Sequence, residues 1–143
     1  MTGAEVLVTL AVVAIVTALA VPEIVQRLTE AKVRRAIVDL RSLGDQVEVY
    51  ASELGAWPAT LEDLSRPVPL DPWGSPYRYL SSSDRTWRGE SRRDRFLVPL
   101  NSDYDLYSNG PDGQSVAPLT AKASRDDIVR ADDGGYYGPA RDF

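Results

Sequence analysis

The chain of 143 residues has the length of one ordinary domain, carries a net charge of -5, and contains neither cysteine nor histidine. Those two absences exclude disulfides, thiolate metal sites and cysteine nucleophiles, and they remove the commonest general base and transition-metal ligand. An enzyme is therefore not expected, and an acidic chain of this kind is a weak partner for nucleic acid.

Residues 6–22 contain no charge, and Val, Leu, Ala and Ile fill every position except Thr9, Thr17 and Pro22. A run of that length is at the lower limit for a helix crossing a hydrocarbon layer of roughly 30 Å. It has no polar face, so it must be surrounded by lipid or by other apolar helices. Glu5 lies at its edge, where an ionisable side chain is costly and marks a functional position. A secretory signal peptide would need a basic start, yet no Lys or Arg precedes Arg27. A plain membrane anchor accounts for the run but not for Glu5 or Pro22.

The run leads into an amphipathic stretch. Val33, Ile37, Leu40, Leu43, Val47, Tyr50 and Leu54 recur by three and four, which places them on one helical face. Together the two stretches predict one helix over residues 2–54, about 80 Å long. Pro22 removes one backbone bond and crowds the Ala18 carbonyl, so a kink or local melting is expected there.

Gly55 and Pro58 end the helix. Thr60 to Leu64 reads as one capped turn, with Asp63 at the reach of a capping box. In the segment Asp71-Pro72-Trp73-Gly74-Ser75-Pro76-Tyr77, Gly74 supplies a turn and the two aromatic rings pack on the helix. Residues 77–80, 95–98 and 104–107 read as three short antiparallel strands. The Arg-rich stretch 81–94 between the first two reads as a solvated loop pairing with neighbouring acids. Residues 107–113 form a tight turn by composition, and Asp126-Asp127-Ile128 follow it. Asp132, Asp133, Tyr136 and Tyr137 have no assigned role, although the tyrosines suit packing on the sheet or on a neighbouring subunit.

Glu5, the apolar run and Pro22 resemble the mature N-terminus of type IV pilins and type II secretion pseudopilins. Residues 71–77 resemble the pseudopilin segment "DPWG-x-PY", and "SNGPDG" at 108–113 with "DDI" at 126–128 resembles the pseudopilin C-terminal loop. Met1 stands where the family usually has Phe, and residue 1 is expected to be the processed, methylated N-terminus. The resemblance implies an α+β pilin-like fold. In it, a long N-terminal α-helix packs its C-terminal half on a small antiparallel β-sheet head of three or four strands. Residues 1–27 would be the membrane and filament-core helix. Residues 28–143 would be the head, with its helical part at 28–54 and the sheet and C-terminal loop at 55–143.

The resemblance further implies a structural subunit that polymerises with itself into a helical type IV pilus-like surface filament. The alternatives are the major pseudopilin of a type II secretion system and a monomeric membrane-anchored binding domain. Met1, Glu5 and Pro22 would serve assembly. The implied partners are other copies, an inner-membrane assembly platform and a prepilin peptidase. The chain would sit in the inner membrane before it joins a surface or periplasmic filament. In the C-terminal loop the resemblance implies a calcium ion held by Asn109, Asp112, Asp126 and Asp127, a hard-oxygen set that suits that ion. Lys122 or Arg125 could instead pair with those acids.

Overall fold

The computed structural model describes residues 2–143. Helix α1 runs over Gly3–Leu54. Chain contacts divide the molecule after Lys32 into two compact units.

In the first unit every described position is solvent-exposed, including the whole apolar run. Leu19 is 72% exposed and Leu7 69%. The helix is long and apolar enough to cross a membrane. It is unbroken across Pro22, so the local melting expected there does not occur in the single chain. Proline removes one donor and disfavours helical angles at the residue before it, but the long ladder on either side keeps the helix continuous here.

In the second unit α1 is amphipathic, and its buried positions are Ala36, Asp39, Leu40, Leu43, Gly44 and Val47. Val33, Ile37 and Tyr50 flank them, half-buried. Leu54, expected on this face, is exposed, because the helix stops there and the chain turns away. Gly55 takes a left-handed φ of 73° and its N–H donates to the Ala51 carbonyl at 2.8 Å, which closes the helix end. The Thr60 N–H donates to the Asp63 carboxylate at 2.9 Å over a short 3-10 turn, Leu61–Asp63.

Four antiparallel strands follow in meander order: β1 Arg78–Ser81, β2 Tyr104–Ser108, β3 Ile128–Ala131 and β4 Tyr136–Pro139. A four-residue helix α2, Trp87–Glu90, lies between β1 and β2. The α+β pilin-like architecture is therefore present. Residues 95–98 are not a strand. Arg95 has φ 42°, Asp94 and Leu97 form a single bridge, and Phe96 is 98% exposed. A left-handed residue breaks the extended ladder, so the β-branched and aromatic composition is overridden by a tight turn. The strands β3 and β4 take its place in the sheet.

Side-chain alternation along the strands builds two apolar layers. Tyr104, Leu106 and Ile128 join Leu40, Leu43 and Val47 of α1, with Tyr77 and half-buried Trp73, Tyr79 and Tyr137. Val129, Ala131, Leu100, Leu119 and Ala140 form the other layer, with Tyr107 and Tyr136. The tyrosines without an assigned role thus have places: Tyr137 faces α1 and Tyr136 faces away from it. A Cβ on Gly44 would stand 2.7 Å from the Tyr137 hydroxyl, so the glycine is what lets β4 approach the helix.

Two buried carboxylates hold the linking segments. Asp71 accepts from the N–H groups of Trp73 and Ser75 through Oδ1, at 3.1 and 2.8 Å, and from the Ser108 hydroxyl through Oδ2 at 2.6 Å. It thereby shapes the turn at Gly74 (φ 91°) and ties it to β2. Asp39 accepts the Tyr77 hydroxyl at 3.1 Å and pairs with Arg35 at 2.8 Å. Burial, with Asp39 beside it, pushes the Tyr77 phenol above its ordinary range.

Candidate functional site

The assembly residues lie on the exposed apolar helix. The Thr2 N–H donates to Glu5 Oε2 at 2.7 Å, and the Glu5 N–H approaches Thr2 Oγ1 at 3.4 Å. This is a reciprocal capping box at the start of α1. Glu5 is thus already engaged by its own helix start in the single chain. The pattern Thr-x-x-Glu at residues 2–5 is the signal in the sequence that marks this cap. Met1 lies outside the described residues. Thr9 and Thr17 return their hydroxyls to the carbonyls of Glu5 and Val13, at 2.8 and 2.6 Å. Beyond Pro22 the first charges pair along the helix, Arg27 with Glu23 at 2.8 Å.

The C-terminal loop residues are placed differently. Gly110 has φ 66°, and its Cβ position lies 2.2 Å from the Asp126 carbonyl oxygen, so only glycine lets the two loop arms meet. Asp126 Oδ2 accepts from the Asp112 N–H at 3.2 Å, and Asp112 Oδ1 accepts from the Gln114 N–H at 2.8 Å. Asn109 donates through Nδ2 to the Gly113 carbonyl at 3.1 Å, and its Oδ1 is buried without a partner.

Asp127 is fully buried and turned toward a different residue, Arg92. Arg92 Nη2 donates to Asp127 Oδ2 at 2.5 Å, and the Ser115 hydroxyl donates to the same oxygen at 2.6 Å. Burial pushes the Asp127 carboxyl up to about 6, against the downward pull of the Ser115 hydroxyl and of the Arg92 guanidinium.

Asn109, Asp112 and Asp126 therefore belong to one neighbourhood, and the Asp127 carboxylate to another. Among the described residues no group of three or more acidic side chains is gathered to hold a metal. The cation on Asp127 is neither Lys122 nor Arg125 but Arg92, which the sequence places in a solvated loop. Nothing in local sequence marks Arg92 as buried. Its neighbours Arg93 and Arg95 are exposed, and only the tertiary fold distinguishes the three.

A second arginine is buried on the other face of β2. Arg130 pairs with Asp103 through both terminal nitrogens, at 2.8 and 2.7 Å, and its guanidinium stacks 3.9 Å from the Tyr104 ring centroid. Asp133, left without a role by the sequence, accepts the N–H and hydroxyl of Ser102 at 2.6 and 2.8 Å. It pins the β3–β4 connection to the start of β2.

No family model matches the chain. It is similar to the type II secretion system core protein G of Pseudomonas aeruginosa, with 26% identity over 131 aligned positions, covering 77% of this chain and 81% of that protein. The similarity spans most of both chains and agrees with a long apolar-to-amphipathic helix followed by a small antiparallel sheet. On these grounds the chain is similar to a type II secretion core protein and shares a pilin-like architecture.

Proposed function

We propose that this pilin-like subunit polymerises through its N-terminal helix into the short periplasmic filament of a type II secretion system. The carrying observation is the apolar run of α1, which is exposed along its whole described length. Apolar surface on that scale must be covered, by lipid before assembly and by the same segment of other copies after it. The likeness to a type II secretion core protein favours the secretion filament over the long surface filament that the N-terminal pattern equally allows. The role is structural. The inner membrane would hold the subunit first, a prepilin peptidase would process it, and an assembly platform would add it to the growing base.

In this reading Glu5 exchanges partners. In the free subunit it caps its own helix; in the filament core it would meet the N-terminal amine of a neighbour. Either charge alone is costly in apolar surroundings, and the pair is much less so. The test is deletion of the gene in its host, followed by assays of exported enzymes and by electron microscopy of sheared cell surfaces. Lost export with no change in surface filaments is expected. Intact export together with lost surface filaments would replace the secretion role with that of a surface pilus.

A further inference from the structure

The superfamily resemblance implies a calcium ion in the C-terminal loop, yet the loop is already centred on a different cation. We propose that the Arg92 guanidinium is the resident cation of this loop, so that the head fixes residues 109–127 without a divalent metal.

Arg92 is 2% exposed, although it sits in a stretch where Arg85, Arg88, Arg93 and Arg95 are all exposed. Its backbone and its two terminal nitrogens reach several separate pieces of chain. Its backbone N–H donates to the buried Asp105 carboxylate at 2.5 Å, and its carbonyl accepts from the Leu100 N–H at 2.7 Å. Its Nη1 donates to the Val116 carbonyl at 3.0 Å and to the Ser115 hydroxyl. Its Nη2 donates to Asp127 Oδ2. Its guanidinium carbon lies 4.2 Å from the Tyr107 ring centroid. One side chain thus joins β2, the middle of the loop and the residue that precedes β3.

That set of contacts does what a loop-binding metal does. A metal draws a carboxylate and backbone carbonyls from distant positions onto one positive centre. Here the carboxylate is that of Asp127, the carbonyl that of Val116, and the centre is planar and covalently attached to the chain. A guanidinium suits the task because its donors are fixed in a fork and its charge cannot be removed near neutral pH. Arg92 Nε and Asp127 Oδ1 are both buried without partners. They are the two atoms that a second, parallel bond between guanidinium and carboxylate would join. A divalent ion on Asp127 would have to share that carboxylate with an adjacent buried positive charge.

The inference does not depend on whether the filament serves secretion or the cell surface. It is tested on the full chain in detergent micelles, by hydrogen-exchange mass spectrometry of residues 109–127 with excess chelator and with millimolar calcium chloride. Unchanged exchange in both is expected for the native chain. Arg92→Lys keeps the charge but loses the fork and the stack, and it should speed exchange in the loop by roughly a hundredfold. Slower exchange on adding calcium, or faster exchange with chelator, would overturn the assignment and restore the metal. Unchanged exchange in Arg92→Lys would overturn it as well. If Arg92→Lys does not fold, the native chain decides by the same two additions.

Discussion

The two units of the chain break opposite rules. Residues 3–32 form a helix that leaves its apolar side chains in the open, with Leu19 and Leu7 among the most exposed hydrophobic groups. Residues 33–143 bury Arg92, Arg130, Asp39, Asp71, Asp105 and Asp127. The contrast follows from what each unit must do. The head is small, has no disulfide to staple it, and connects its elements by long loops. Buried ion pairs and carboxylate-centred turns fix those loops where apolar packing alone is too thin. The first unit has no tertiary fold to fix, so its apolar surface is kept for other molecules. One region spends hydrophobicity on neighbours; the other uses charge to define itself.

The largest effect is expected where the head's side of the contrast is broken. Arg130→Ala removes the partner of Asp103, the bond to the Tyr104 carbonyl and the stack on the Tyr104 ring. Removing one member of a buried pair costs about 3–5 kcal/mol. A small domain holds on the order of 5–15 kcal/mol, so denaturant midpoints should fall steeply. A midpoint within experimental error of the native chain would mean that the buried arginine is incidental to the fold.

A smaller effect on folding, but a decisive one on assembly, is expected at Glu5. Glu5→Ala removes the carboxylate half of the capping box with Thr2, worth about 1 kcal/mol at a helix end that can fray freely. Membrane insertion should be unaffected while filament yield collapses, with Glu5→Gln recovering part of it. Native filament yield from Glu5→Ala would confine this acid to helix capping.

The smallest effect on the single chain sharpens the contrast most. Leu19→Ala alters a side chain that touches solvent and should change the stability of the isolated subunit by less than about 0.5 kcal/mol. The same substitution should lower filament yield, because in the polymer that side chain would be packed. Equal yields would show that residue 19 faces lipid or solvent in the assembled state too.

Much of this arrangement is legible in the sequence because it obeys local rules. The length of α1, the core face at Leu40, Leu43 and Val47, the end at Gly55 and the turn at Gly74 all follow from spacing or backbone freedom. The strands β1 and β2 are recognisable for the same reason. The remaining strands are not, because each contains a residue that argues against a strand. β3 carries Arg130 facing the apolar layer, and β4 ends in Gly138-Pro139. The residues 95–98 have strand composition but sit in a turn. The loop site was legible only as acids near a glycine turn. That Asp127 faces Arg92 while Asp126 faces the Asp112 backbone depends on two adjacent residues pointing to different sides. Their partners are 35 and 14 positions away in the chain.

The threonines of the apolar helix carry a last consequence. Thr9, Thr17 and Thr29 each spend their hydroxyl on the carbonyl four residues earlier. With its hydroxyl folded back, each offers a passing helix little more than a methyl group. Over residues 6–22 such a shaft presents no unengaged threonine hydroxyl. In the proposed filament it could turn or slide against its fellows by a residue or several without breaking any hydrogen bond between them. Axial position would then be left undetermined over the entire run, and the first side chain able to stop the motion would be the carboxylate at its tip.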